Sequence, residues 1–169
     1  MNYIDVFKEE DIEVNWLTLL IGLDGPANFP PLVDVAEIIN FAIELLDGTS
    51  DRDIISIATA YVSESEAIRS SLMKLSKRVD CNEEFEMRKW RYILLKSMMK
   101  DVPQDSLYGL IFLTEFWADF DYPSDRPHLV QGQKNSLTPE EYYSDEFFEK
   151  TIANHYTWLK QELNILVKQ

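Results

Sequence analysis

Residues 148–166 read FEKTIANHYTWLKQELNIL, and this stretch decides the fold class. Phe148, Ile152, His155, Leu159, Leu163 and Leu166 step by four, three, four, four and three. Those steps return each side chain to the same side of an α-helix. No stretch alternates apolar and polar residues for the length of a strand, residues 12–14 being the nearest approach.

Working outward from that helix, the punctuation is helical nearly throughout. Thr138-Pro139-Glu140-Glu141 is a capping box with proline in the first turn. Before it lies a loop over residues 119–136 that contains Pro123 and Pro127. Asp105 caps a helix through Leu107, Leu110, Ile111, Leu113 and Trp117. Asn82, followed by Glu83 and Glu84 at the positive end of the dipole, starts a helix running past Trp90 and Leu94 to about Lys100. Ser50 with Asp53, and Ser63 with Glu66 as a capping box, start two more. Residues 32–46 are mostly apolar, with Asp34, Glu37 and Glu44 on one face. That pattern predicts a central helix covered by protein on its other sides, entered at Pro30 and Pro31 and stopped by Gly48. Asn15 caps a short helix through Trp16, Leu19 and Leu20 that ends at Gly22 and Gly25. The expectation is one all-α domain over residues 1–169, with about seven helices in an irregular bundle or short solenoid-like stack.

Thirty acidic residues against sixteen basic ones give a formal charge of −14. The charge is blocky. Residues 1–66 carry fourteen acids against Lys8 and Arg52, residues 67–100 carry four acids against nine bases, and residues 101–169 carry twelve acids against five bases. A field of this sign repels nucleic acid and anionic membranes and speeds encounters with basic partners. The basic segment, from Arg69 through Lys74, Lys77, Arg78, Arg88, Lys89, Arg91 and Lys96, is expected to pair with the protein's own acids or to form a solvated face, in preference to binding nucleic acid. The first ten residues lack a basic region followed by an apolar one, so no secretory signal is expected. No apolar run reaches the length of a membrane span. A cytoplasmic location is the expectation, and self-association is left open.

Catalytic templates fail. There is no phosphate-binding glycine loop, no His-Glu-x-x-His and no cysteine pair for zinc, since Cys81 stands alone. Cys81 precedes a helix start, which would lower its pKa, although a partly buried inert thiol is the favoured reading. His155 is expected to be a hydrogen-bonded core residue. Asp119, Asp121 and Asp125 invite a calcium test, but a loop starting at Asp119 has Pro123, Ser124 and Val130 where an oxygen ligand, glycine and glutamate are required. No metal and no cofactor is expected. Residues 117–125, Trp-Ala-Asp-Phe-Asp-Tyr-Pro-Ser-Asp, combine aromatic contact area with acids at a helix-to-loop junction, a mixture suited to binding, although a helix end with Trp117 and Phe120 in the core and its aspartates merely solvated is the favoured reading of the segment.

The order of Asn15-Trp16 and Gly22-Leu23, then Lys89-Trp90-Arg91-Tyr92-Ile93-Leu94-Leu95, then residues 117–123, and finally Ile152-Ala-Asn-His-Tyr-Thr-Trp158, resembles the bacterial domain-of-unknown-function family 2247. The resemblance runs through nearly the whole chain, and its most specific block is the aromatic-acidic-proline junction. It implies a compact all-helical protein with no assigned catalytic residues, similar in type to small acidic immunity proteins of toxin systems. One departure is the loop after Pro123, Ser-Asp-Arg-Pro-His-Leu-Val-Gln-Gly, which lacks the proline-rich close the resemblance implies.

The functional expectation is a non-enzymatic binding module, an immunity-type antidote that occludes a basic bacterial toxin. Its candidate contacts are Trp117, Asp119, Asp121, Tyr122 and Asp125, with Glu9, Glu10, Asp11 and Glu13 as a second patch. The alternative is a small carboxylate- or cation-dependent enzyme that uses Asp119, Asp121 and Asp125 with His128.

Overall fold

The computed structural model describes residues 2–167, and among them every regular element is helical. No helix of these residues is long and apolar enough to cross a membrane. The chain divides into two compact units at Trp90/Arg91.

The first unit opens with α1 (Tyr3–Glu9), capped by Asn2, whose Oδ1 accepts from the Ile4 amide at 3.0 Å. This helix goes beyond the sequence expectation. Next comes α2 (Trp16–Asp24), held by the Asn15/Thr18 capping box. Gly22 sits inside this helix rather than ending it. A Cβ there would lie 2.5 Å from the Trp90 ring and 2.6 Å from Val33, so only glycine permits the approach. Gly25, at φ 92°, ends the helix as expected.

The helix expected over residues 32–46 is shorter and less covered. It is α3 (Val35–Glu44), and Pro30 and Pro31 stand outside it. Asp34 and Glu37 cap each other's backbone at 2.8 Å, so two of the three acids close the helix start instead of lining its face. Ile43 is about half exposed and Leu45 nearly so; only Ile38, Ile39 and Ala42 of α3 are buried. A short 3-10 turn (Leu46–Gly48) leads to α4 (Arg52–Ala58), capped by Asp51 and not by Ser50. The start expected at Ser63 also moves. Glu64 accepts from the Tyr61 amide at 2.7 Å, a 3-10 turn covers Val62–Glu64, and α5 (Ser65–Ser76) follows. At α4 the acid Asp51 takes an orphan amide in place of serine, whereas the N-cap of α5, Glu64, makes no side-chain bond to that helix and instead closes the preceding 3-10 turn. α2 and α4 pack on α5, and α3 packs on α4, around Leu19, Ile38, Ile57, Ile68 and Leu72.

α6 (Glu83–Met99) starts under the Asn82 side chain, which accepts from the Phe85 amide at 2.7 Å. Its first half belongs to the first unit. There Glu86 is fully buried and meets Lys89 Nζ at 2.8 Å, Asn15 Nδ2 at 2.9 Å and Thr18 Oγ1 at 2.5 Å. Lys89 also donates to the Glu13 carbonyl, and the Trp90 indole donates to the Thr18 carbonyl, each at 2.9 Å. The capping box of α2 is thereby welded to α6 by a buried, fully bonded ion pair.

The second unit contains the rest of α6, then α7 (Ser106–Asp119), the four-residue α8 (Pro139–Tyr142) and α9 (Asp145–Leu166). α7 and α8 both pack on α9. The expected stripe of α9 is rotated slightly. Phe148, His155, Leu159 and Leu166 are buried, but Thr151, Trp158 and Glu162 join them while Ile152 and Leu163 are only half-buried. The face is polar enough at its centre to build the network described next.

Candidate functional site

α7 is regular up to Asp119, and its end is turned sharply by two successive left-handed residues, Asp121 (φ 54°) and Tyr122 (φ 49°). Left-handed backbone costs a non-glycine residue about 1–2 kcal/mol, so something must hold it. The Tyr122 amide bonds the Trp117 carbonyl and the Asp121 amide bonds the Ala118 carbonyl, both at 2.9 Å. Arg126 Nη1 then donates to the Tyr122 carbonyl at 2.8 Å and the Pro123 carbonyl at 3.1 Å, with its guanidinium 5.3 Å from the Tyr122 ring. The turn is an organised corner.

Trp117 has no exposed surface. Its indole N–H donates to His155 Nε2 at 2.9 Å, and its ring stands edge-on to Trp158 at 5.4 Å. It anchors the corner from inside and offers a partner nothing. Because indole is only a donor, His155 Nε2 must accept, so Nδ1 carries the hydrogen and gives it to the Thr151 carbonyl at 2.7 Å. Burial pushes His155 down to about 4, partly opposed by that carbonyl. His155 is a neutral core residue with both nitrogens used.

His128 is equally buried, with its ring 5.6 Å from that of His155. Its Nε2 lies 2.8 Å from Thr114 Oγ1 and 3.4 Å from the Tyr142 hydroxyl. Thr114 gives its hydrogen to the Leu110 carbonyl at 2.7 Å, and Tyr142 gives its own to the Leu129 carbonyl at 2.8 Å. Nε2 must therefore be the donor, which leaves Nδ1 as a buried lone pair without a partner. Burial pushes His128 down to about 3, with the nearby His155 and Arg126 acting in the same direction. Sequence reading finds His128 in the loop but not its burial.

The remaining candidate residues are dispersed in exposure. Asp121 and Asp125 are exposed; Asp119 and Tyr122 are half-buried. Asp125 accepts from Arg91 Nη2 at 2.7 Å, and the same nitrogen lies 3.9 Å from the buried Glu162. Asp125 and His128 thus have Arg91, and Thr114 with Tyr142, as partners instead of each other. Among the described residues no three His, Cys, Asp or Glu side chains converge as a metal-binding group.

The second patch lies at the end of α1. Glu9, Asp11 and Glu13 are exposed and Glu10 is half-buried. Asp11 is left-handed at φ 55°, fixed by amide bonds from Asp11 to the Lys8 carbonyl and from Ile12 to the Phe7 carbonyl.

Much of the basic segment is engaged by the protein's own acids. Arg69 pairs with Asp24, Arg78 bridges Asp51 and Asp53 at 2.7 and 2.6 Å, and Lys74 lies 3.7 Å from Asp53. Cys81 does not follow the helix-start expectation. Burial, and next the Glu86 carboxylate, push its thiol above the ordinary value.

No curated protein and no solved structure matches the chain. One family model, described as "Uncharacterized protein conserved in bacteria (DUF2247)", matches residues 4–163. A match over nearly the whole length takes in both helical units, the organised corner and the α1 patch, and the chain therefore belongs to this bacterial family.

Proposed function

We propose that this protein is a non-enzymatic binding module for a basic protein partner, acting in the cytoplasm as an immunity-type antidote that occludes its partner's cationic surface. One observation carries the reading: both acidic patches sit at the carboxyl ends of helices. Asp119 closes α7 and Asp121 follows it, with no basic residue in the last turn. Glu9 closes α1, with Glu10 and Asp11 after it. A helix carboxyl end is already partly negative, so each acid there is disfavoured by about 0.3–1 kcal/mol at an exposed site. Asp11 and Asp121 are held in left-handed backbone as well. Acids set against the helix dipole at two places, in spite of Lys8 in the last turn of α1 and of Arg126 capping the corner after α7, support a surface kept for a cationic partner. Arg69, Lys74 and Arg78 are already paired with acids, which leaves the acid excess to steer approach.

The contact set is accordingly Asp119, Asp121 and Tyr122 at the α7 corner and Glu9, Asp11 and Glu13 at the α1 end, with Trp117 as the internal anchor. The test is affinity capture from the bacterial host's lysate with the wild type and with Asp119→Lys/Asp121→Lys. A basic protein held stoichiometrically by the wild type and lost by the variant supports the reading. A partner captured equally by both removes the α7 corner from it.

A further inference from the structure

A second surface, of opposite character, lies in the second unit. The carboxyl half of α6 and the middle of α9 enclose a groove of about 390 Å³. Its floor is Tyr92, Met99, Leu159 and Leu163, buried or half-buried. Its rim carries Lys96, Lys100 and Lys160 together with Tyr156, which is more than half exposed. The helical spacing explains the stripe: Lys96 on α6 is followed one turn later by Lys100, just past the helix end, and Tyr156 and Lys160 stand one turn apart on α9.

In a chain of charge −14, three lysines and no acid line this one apolar groove. Several bases elsewhere meet carboxylates, Lys8 with Glu44, Arg69 with Asp24, Lys89 with Glu86 and Arg91 with Asp125, while others such as Lys77 and Lys150 form no ion pair among the described residues but stand outside this groove. Lys100 and Lys160, by contrast, form no ion pair among the described residues. The dipole of α6 favours Lys96 and Lys100 near its carboxyl end, but Lys160 lies well inside α9 and gains nothing from it.

We infer that this groove docks an acidic amphipathic helix of a partner protein, with its apolar stripe on Met99, Leu159 and Leu163 and its carboxylates on Lys96, Lys100 and Lys160. Charge complementarity selects the sign. The walls select the conformation, because two α-helices have their backbone groups already bonded and present only side chains. An extended peptide would bury amides with no partner there, whereas a helix arrives with its own satisfied. Lys96 and Lys100 are about 6 Å apart along the axis, which is also the rise between i and i+4 carboxylates on the occupant. Scale argues against a membrane as occupant. An anionic bilayer extends far past the screening length of about 8 Å and meets the whole negative molecule, while a short helix feels mainly the three lysines.

The test is fluorescence anisotropy with a stapled helical peptide of about four turns, leucines at i, i+3, i+4 and i+7 and glutamates on the flanking positions. Three comparisons accompany it: a scrambled peptide of equal charge, dodecanoate, and anionic vesicles. The variants are Lys100→Glu/Lys160→Glu, which changes only exposed side chains, and Tyr156→Ala, which trims the apolar wall without altering charge. The expected result is binding of the amphipathic peptide over the scrambled one, weakened about tenfold or more by the double reversal and also weakened by Tyr156→Ala. Equal binding of scrambled and amphipathic peptides overturns the inference, as does an unchanged affinity in the double variant with its circular dichroism intact. So does displacement of the peptide by dodecanoate at lower concentration than the unlabelled peptide itself. Vesicle binding, or dimerisation of the chain, that the double reversal abolishes would assign the groove to another occupant and overturn it too.

Discussion

Acidification from pH 7.5 to pH 5 should destabilise this protein through its histidines, at a pH where few carboxylates have begun to titrate. The chain has two histidines, His128 and His155, and both are buried and neutral, held down to about 3 and about 4 by desolvation. In the unfolded chain each returns to about 6.5. The folded values lie below the unfolded ones, so the unfolded state binds protons first. The stability these residues lend is complete above about pH 6.5 and is lost as pH falls from there through the folded values. At pH 5 an unfolded histidine is almost fully protonated and a folded one almost fully neutral, a difference of about 2 kcal/mol for each and about 4 kcal/mol for the pair. Against a domain stability of about 5–15 kcal/mol this is a large fraction. Urea titrations followed by tryptophan fluorescence at half-unit steps would give the slope, and near pH 5 unfolding should take up about two protons. The His128→Gln/His155→Gln chain should lose that slope even if its absolute stability is lower. A flat profile between pH 7.5 and 5, or a slope that persists without the histidines, would refute the hydrogen-bond assignment of the buried network.

Three further outcomes follow from particular contacts. Glu86→Gln leaves Lys89 as a buried cation without its counter-ion and should cost about 3–5 kcal/mol in urea melts; Glu86→Leu combined with Lys89→Met should recover much of that, because the pair is removed together. Gly22→Ala would gain helix propensity but drives a methyl into the Trp90 ring and Val33, so the net effect should be a loss of about 1–3 kcal/mol, seen as a lower Tm with altered tryptophan emission. Asp119→Asn/Asp121→Asn should raise Tm slightly, by relieving the carboxyl end of α7 at up to about 1 kcal/mol per charge, while weakening capture of the basic partner. A fall in Tm would show that the acids serve the fold.

How far the sequence reaches depends on the range of the interaction. The helices at Asn15, Asn82, Asp105 and Thr138 are legible because a cap and the amides it serves lie within four residues of each other. The starts at Asp51 and Glu64 are misread at Ser50 and Ser63 for the same reason: several cap-competent residues compete locally, and their order alone does not rank them. The stripe on α9 is right in period but rotated, in part because Glu162 is admitted to the core beside Arg91, a partner distant in the chain. The same holds for Glu86 with Asn15 and Thr18, more than sixty residues apart. The candidate site was half legible. Its acids, the helix-to-loop junction and the core place of Trp117 are visible in the sequence, but the engagement of Asp125 by Arg91 arises from packing between elements. The left-handed corner at Asp121 and Tyr122 has little sequence signal, since Asp adopts such backbone only occasionally and Tyr is not among the residues that favour it.

The measurement that bears most directly on the central claim is the association rate of this protein with its captured basic partner, by stopped-flow, across ionic strengths from about 20 to 500 mM. If the acids at the ends of α1 and α7 steer the encounter, the rate falls steeply with salt, and Asp119→Lys/Asp121→Lys lowers both the rate and its salt slope while dissociation changes less. A rate that is flat in salt, or a slope identical in wild type and variant, would contradict the claim that these patches exist to meet a cationic partner.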